Sequence, residues 1–144
     1  MNRRGNKMIE LDEITKFINE NPSYRNKPYD KNYQLSQDFY RENGFYFEEI
    51  WNLDIEICRF LAPRLAFLRD NHTGFPGQLC KFDDNFNVIN EEEAREKWNK
   101  ILDTMVDGFY LYMSKDEFDL TIDEKKTINK ALKYFKKYFT ALWD

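Results

Sequence analysis

From Asn90 to Met113 the chain repeats apolar side chains every three or four residues without a break: Ala94, Trp98, Ile101, Leu102, Met105, Phe109 and Met113. On a spiral of 3.6 residues per turn these fall on one stripe, so the segment predicts a long amphipathic helix that must be covered by other elements. Asn90 stands where an N-cap belongs and Glu93 follows three residues later, the arrangement of a capping box. A second stripe runs from about Asp123 to Leu142 through Ile128, Ala131, Leu132, Phe135, Phe139 and Leu142, with Lys126, Lys130, Lys133, Lys136 and Lys137 on its back. A third helix is expected over Asn52–Asp70, with Asn52 as its N-cap. With Asp54 set at zero on a helical wheel, Ile57, Cys58, Leu61, Leu65 and Leu68 lie within about 60° of it. Glu56, Arg59, Pro63 and Asp70 lie opposite. So wide an apolar sector predicts a mostly buried helix. Pro63 removes one backbone donor, which allows either a kink or a break with Pro63 opening a second helix.

The rest of the chain is punctuated by turn residues. Leu11–Glu20 reads as a short helix with Ile14, Phe17 and Ile18 on one face, ended by Asn21-Pro22. Residues 22–35 read as a surface loop pinned by Tyr24, Tyr29 and Tyr33. Ser36–Glu42 offers one or two helical turns before Asn43-Gly44. Residues 71–89 form a long loop in which Gly74 is placed to end the preceding helix in a left-handed conformation. No strand pattern and no repeat compete with the helices. The expectation is an all-α single-domain bundle of four to five helices, with residues 1–10 a flexible tail, residues 11–144 the domain, and long N-terminal and 71–89 loops.

Composition narrows the function classes. Thirteen Phe, nine Tyr and three Trp in 144 residues exclude a disordered chain despite its polarity. A net charge of −4 argues against nucleic acid as the partner. Charge is segregated: residues 83–124 carry 13 acidic and 4 basic side chains, residues 125–144 carry 6 basic and 1 acidic. These read either as two solvated faces that attract each other or as an acidic face for a basic partner. Two cysteines cannot staple a fold, and both are expected to be unpaired. The N-terminus lacks the apolar core of a secretory signal, and no run is long enough to span a membrane, so a cytoplasmic address is expected. One His and two separated Cys suggest no metal site, and no phosphate loop or nucleophile elbow points to a cofactor or a catalytic reaction.

Trp51-Asn52-Leu53-Asp54, Pro63-Arg64-Leu65, Phe67, Gly74-Phe75-Pro76, Trp98 with Ile101-Leu102-Asp103, Met105 with Gly108-Phe109, and the ending Phe135-Lys136-Lys137-Tyr138-Phe139 with Leu142-Trp143-Asp144 together resemble a family of small, uncharacterised proteins of tailed phages and prophages. The resemblance covers about half the chain and leaves the first 44 residues unmatched. It implies a phage origin and action in the host cytoplasm. Accessory phage proteins of this size bind and block, so the implied partner is a host protein, such as a component of antiviral defence or its signalling molecule.

Several residues stand out beside that resemblance. Asp54 projects from an apolar face and needs a donor, for which Arg95 or the Trp98 indole are the candidates. Arg64, Arg69 and His72, with Phe75 to stack on a ring, are placed to make a cationic pocket for a nucleotide or another anion. His72, the single histidine, would have Cys80 or Asp70 as its best catalytic partner, and no motif supports either pairing. Glu91, Glu92, Asp103 and Asp107 on the acidic helix, and Lys133 and Lys137 on the basic one, are candidates for a partner surface. The expected function is occupation of a host protein without catalysis. The alternative is sequestration of a small anion near Arg64, Arg69 and His72, and an exposed part of the aromatic stripe would mark a homodimer or partner surface.

Overall fold

The computed structural model describes residues 8–21 and 33–143, and among them finds five helices and no strands. These are α1 (Leu11–Glu20), α2 (Tyr33–Asn43), α3 (Leu53–Asn71), α4 (Glu91–Ser114) and α5 (Ile122–Tyr138). The all-α bundle expected from the periodicities is the one observed. Residues 22–32, including Tyr24 and Tyr29, lie outside the described residues, as do residues 1–7. Ile9, just before α1, packs against the core.

α4 is the central element. Its stripe is buried as the sequence predicts, with Trp98, Leu102, Met105 and Val106 among the largest fully enclosed side chains. α3 and α5 pack on α4 and both run antiparallel to it. Asp54, Arg69 and His72 of the α3 region meet Tyr112, Asp103 and Asn99 in reverse order along α4. Lys115 at the end of α4 meets Glu124 at the start of α5 (2.8 Å), while Trp98 near the start of α4 meets Tyr138 at the end of α5 (5.5 Å between rings). Gly108 lets α4 and α5 approach closely: a Cβ there would stand 2.4 Å from the Ala131 Cβ and 3.1 Å from the Thr127 carbonyl oxygen. α1 lies against α3, held by Arg59, which donates to the carbonyl oxygens of Asn21 (2.6 Å) and Ile18 (3.3 Å). Ile14 is fully buried, and Phe17 meets Tyr110 edge-on.

α2 and the 3₁₀ turn Phe47–Ile50 form a satellite cluster of rings. Phe39 packs edge-on against Phe45 and Phe47 (5.5 and 5.9 Å), and Tyr40 stacks on Tyr46 (4.7 Å). Gly44, at φ +80°, reverses the chain after α2, a conformation only glycine adopts freely. Tyr33 lies in α2, so the helix is longer than the expected Ser36–Glu42.

Four local expectations are corrected. Asn90 precedes α4 but does not cap it: its amide donates to the Leu79 carbonyl (2.9 Å) and accepts from the Lys81 N–H (2.6 Å). Its polar atoms serve the 77–90 loop instead of the helix, and Glu93 reaches Lys81 and Lys97 rather than closing a capping box. Gly74 is not left-handed, because His72 ends α3 in an extended conformation while the Asn71 amide caps the Phe67 carbonyl (2.8 Å). The 71–89 stretch is partly ordered by a 3₁₀ turn at Gly77–Leu79 and a single bridge between Phe82 and Val88. α5 stops at Tyr138, which is buried, whereas Leu132 and Phe139 of the expected stripe are exposed. α3 continues through Pro63 without a break.

Candidate functional site

α3 has two apolar faces. The inner one, Cys58, Ala62, Leu65 and Ala66, is buried. The outer one is not: Leu53, Ile57, Phe60 and Phe67 remain 53, 47, 57 and 59 % exposed. With Arg64 between Phe60 and Phe67, these residues repeat at alternating steps of four and three, the spacing of a helix seam that meets another helix. The Arg64 guanidinium lies 3.8 Å above the Phe60 ring and donates to the Phe60 carbonyl (2.9 Å). No carboxylate among the described residues pairs with it. Exposed Phe47, Ile50 and Trp51 stand just before α3, and the Phe47 and Trp51 rings touch edge-on. At about 200 Å² for a large ring and less for an aliphatic side chain, the exposed parts of these seven residues sum to about 700 Å². A standard protein interface takes about 800 Å² from each partner.

The helical wheel puts Ile57 in the buried sector and predicts a helix mostly inside; the structure leaves Ile57 exposed. A wheel shows how wide the apolar arc is, but not how many neighbours exist to cover it. The signal was the second row at 53, 57, 60 and 67, which lies across the wheel from Cys58, Ala62 and Leu65.

Asp54 is exposed rather than enclosed. Its azimuth is that of the core, but it lies in the first turn of α3, level with the end of α4. There the Tyr112 hydroxyl donates to its carboxylate. Neither expected partner serves it. Arg95 donates to the Thr73 carbonyl (2.9 Å) and pairs with Glu91 (3.2 Å), while Trp98 is enclosed in the core. The carboxylate as acceptor, with some burial, pushes the Tyr112 phenol up to about 12. Burial, assisted by the Asp54 charge, pushes the Cys58 thiol up to about 12 as well. Asp54 opens into a cleft of about 550 Å³ between the start of α3, the end of α4 and the start of α5.

The expected cationic pocket is divided between two places. Arg69 is buried and donates from Nε to Asp70 (2.9 Å) and from Nη1 to Asp103 (2.8 Å). Burial alone would lower its pKa, but the two carboxylates outweigh that and hold it above its ordinary value. His72 donates from Nδ1 to the Gly74 carbonyl (2.7 Å) and faces Asn99 with Nε2 (2.5 Å). Phe75 packs against the core with the Arg95 guanidinium 5.2 Å from its ring centre. Arg69, His72 and Phe75 therefore line the α3–α4 seam, tied to α4. Arg64 belongs to the outer face, about 140° further round α3 than Arg69. The catalytic pairings considered for His72 are not formed: Asp70 is held by Arg69, and the Cys80 thiol points to the Pro76 carbonyl (3.7 Å). Both cysteines are free.

The charged candidates are partly engaged. Glu91 pairs with Arg95 and Asp103 with Arg69, while Glu92 is exposed. Asp107 is half-buried, and burial together with the charges of Asp103 and Glu124 raises its pKa. Lys137 lies 5.4 Å from the Tyr138 ring centre, and Lys133 is exposed. Among the described residues, the acids of α4 pair with Lys81, Lys97, Arg95 and Arg69, and none pairs with the lysine row of α5. The segregated charges thus remain separate faces. No helix among the described residues is long and apolar enough to cross a membrane.

These features define an all-α helical bundle whose α3 helix is apolar on both sides and covered on one. Compared with protein-family models, with curated proteins and with solved structures, the chain matches none.

Proposed function

We propose that this is a phage-encoded binding protein that works by occupying a host protein in the cytoplasm, such as a component of antiviral defence, and that the outer face of α3 is where the host protein docks. The observation that carries the reading is the exposed row Leu53, Ile57, Phe60 and Phe67 on a helix already packed on its other side. The inner row of α3 is already covered by the body, so a partner that covers the outer row gains that row's burial. Row spacing and charge describe that partner: an amphipathic helix, apolar at steps of three and four, carrying a carboxylate that meets Arg64. The anion reading needed Arg64, Arg69 and His72 to act together, and their present partners lend it no support.

A photo-crosslinking residue placed in turn at positions 60 and 67, and at the exposed Glu92 as reference, tests the reading in the host. The expected result is one shared adduct from 60 and 67 that is absent from 92 and weakened by Arg64→Glu. No adduct, the same adducts from all three positions, or adducts only with a second copy of the chain would overturn it.

A further inference from the structure

The cleft at the start of α3 presents opposite charges that do not neutralise each other. Its lining includes Asp54, bonded to Tyr112, and Glu117, which is close enough to Tyr112 for its charge to act on that phenol. It also includes Lys125 and Asn129, one turn apart on α5 and so on the same helix face. The second nearby cation, Lys115, is already held by Glu124 at 2.8 Å. Lys125 has no carboxylate within ion-pair distance among the described residues, although three acids, Asp54, Asp116 and Glu117, line the same cleft. No ion pair among the described residues thus joins Lys125 to these acids. Ile55 and Ile128 add an apolar lining. The volume, about 550 Å³, falls in the range of small-molecule sites.

A simple anion would meet Lys125 and Asn129 but share the cleft with three carboxylates. A simple cation would meet the carboxylates but leave Lys125 opposed. A molecule with one charge of each sign, separated by a short apolar spacer, satisfies both kinds of group and covers the isoleucines. We propose that this cleft binds a small zwitterion, its ammonium group on Asp54 and Glu117 and its carboxylate on Lys125 and Asn129. The site is separate from the outer face of α3, and the proposal does not rest on the docking role assigned to that face.

The test uses a length series of amino acids, glycine, γ-aminobutyrate and ε-aminocaproate, with caproate and hexylamine as singly charged controls. Binding to the full chain is followed by amide chemical shifts and by calorimetry. At least one zwitterion is expected to shift the amides around Lys125 and Asn129 and to bind about tenfold or more tightly than either control. Lys125→Met, at an exposed position, is expected to weaken that binding about tenfold with an unchanged melting temperature. Asp54→Asn is expected to weaken binding as well; because it also alters the Tyr112 bond, Lys125→Met is the variant that reads binding apart from packing. Absence of binding across the series, equal binding of caproate or hexylamine, or full binding by the Lys125 variant would each overturn the proposal.

Discussion

Replacing Gly108 by Ala tests the packing on which the bundle depends. The new Cβ would lie 2.4 Å from the Ala131 Cβ, 3.1 Å from the Thr127 carbonyl oxygen and 3.3 Å from the Ile128 Cα. Carbon atoms pack at about 3.5–4.0 Å, so the first contact falls short by more than an ångström. None of the three atoms is the end of a flexible side chain. Relief requires α5 to move away from α4, which loosens the contacts of Ile128, Ala131 and Phe135 together. Overpacking of this kind costs about 1–3 kcal/mol. Ala is the better helix former, returning up to about 1 kcal/mol. The net expectation is a loss of about 1–2 kcal/mol, seen as a fall of roughly 3–8 °C in melting temperature for a domain of this size. Thermal unfolding followed by circular dichroism reads it directly. Adding Ala131→Gly should recover part of the loss, because it removes the shortest contact, although it brings its own helix penalty of about 1 kcal/mol. A melting temperature that rises in the Gly108→Ala protein would mean that helix propensity outweighs the contact, and that α4 and α5 are not as close as described.

Three further outcomes are expected. Asp103→Ala leaves the buried Arg69 guanidinium with Asp70 alone and should destabilise the fold by about 1–3 kcal/mol in urea titrations; a change within error would show that the pair contributes no net stability. The pKa of Asp107 is raised in the folded state, first by burial and then by Asp103 and Glu124. The folded protein therefore holds this proton more tightly than the unfolded chain, and the group's contribution to stability falls as pH rises from its ordinary pKa of about 4 to its folded value. Asp107→Asn should remove that slope and raise the neutral-pH melting temperature, whereas an unchanged profile would refute the assignment. With its thiol pushed up to about 12 inside the core, Cys58 should resist alkylation in the native state. Native mass spectra at neutral pH should then show one rapid adduct, on Cys80, and rapid labelling of Cys58 would contradict its enclosure.

The three long helices were legible because their apolar periods span many turns, and α4 was buried along the stripe its sequence describes. What a wheel could not supply is the level at which each residue meets its neighbours. Asp54 and Arg69 show this in opposite directions. Asp54 has the azimuth of the core, yet it lies in the first turn of α3, where the adjoining element is the end of α4 and a cleft opens. Arg69 falls about 60° from Asp54 on the wheel, at the edge of the apolar sector, yet it is buried, with Asp103 of α4 2.8 Å from its guanidinium. Both outcomes depend on the antiparallel register of α3 against α4, which is a property of two segments and cannot be read from one. The same reasoning separates Leu61 and Leu65, which meet the body, from Phe60 and Phe67, which do not. Each is apolar, and each lies at helical spacing from the others. The bundle has a neighbour for one side of α3, and the other side keeps a row of large apolar groups in contact with solvent. Burial of that row by an added helix is favourable at about 25 cal/mol per Å² of apolar surface, before the cost of association is counted. A single exposed Phe would carry no such meaning; Leu53, Ile57, Phe60 and Phe67 aligned on one helix, with the Arg64 guanidinium among them, are what the proposed docking of an acidic amphipathic helix rests on.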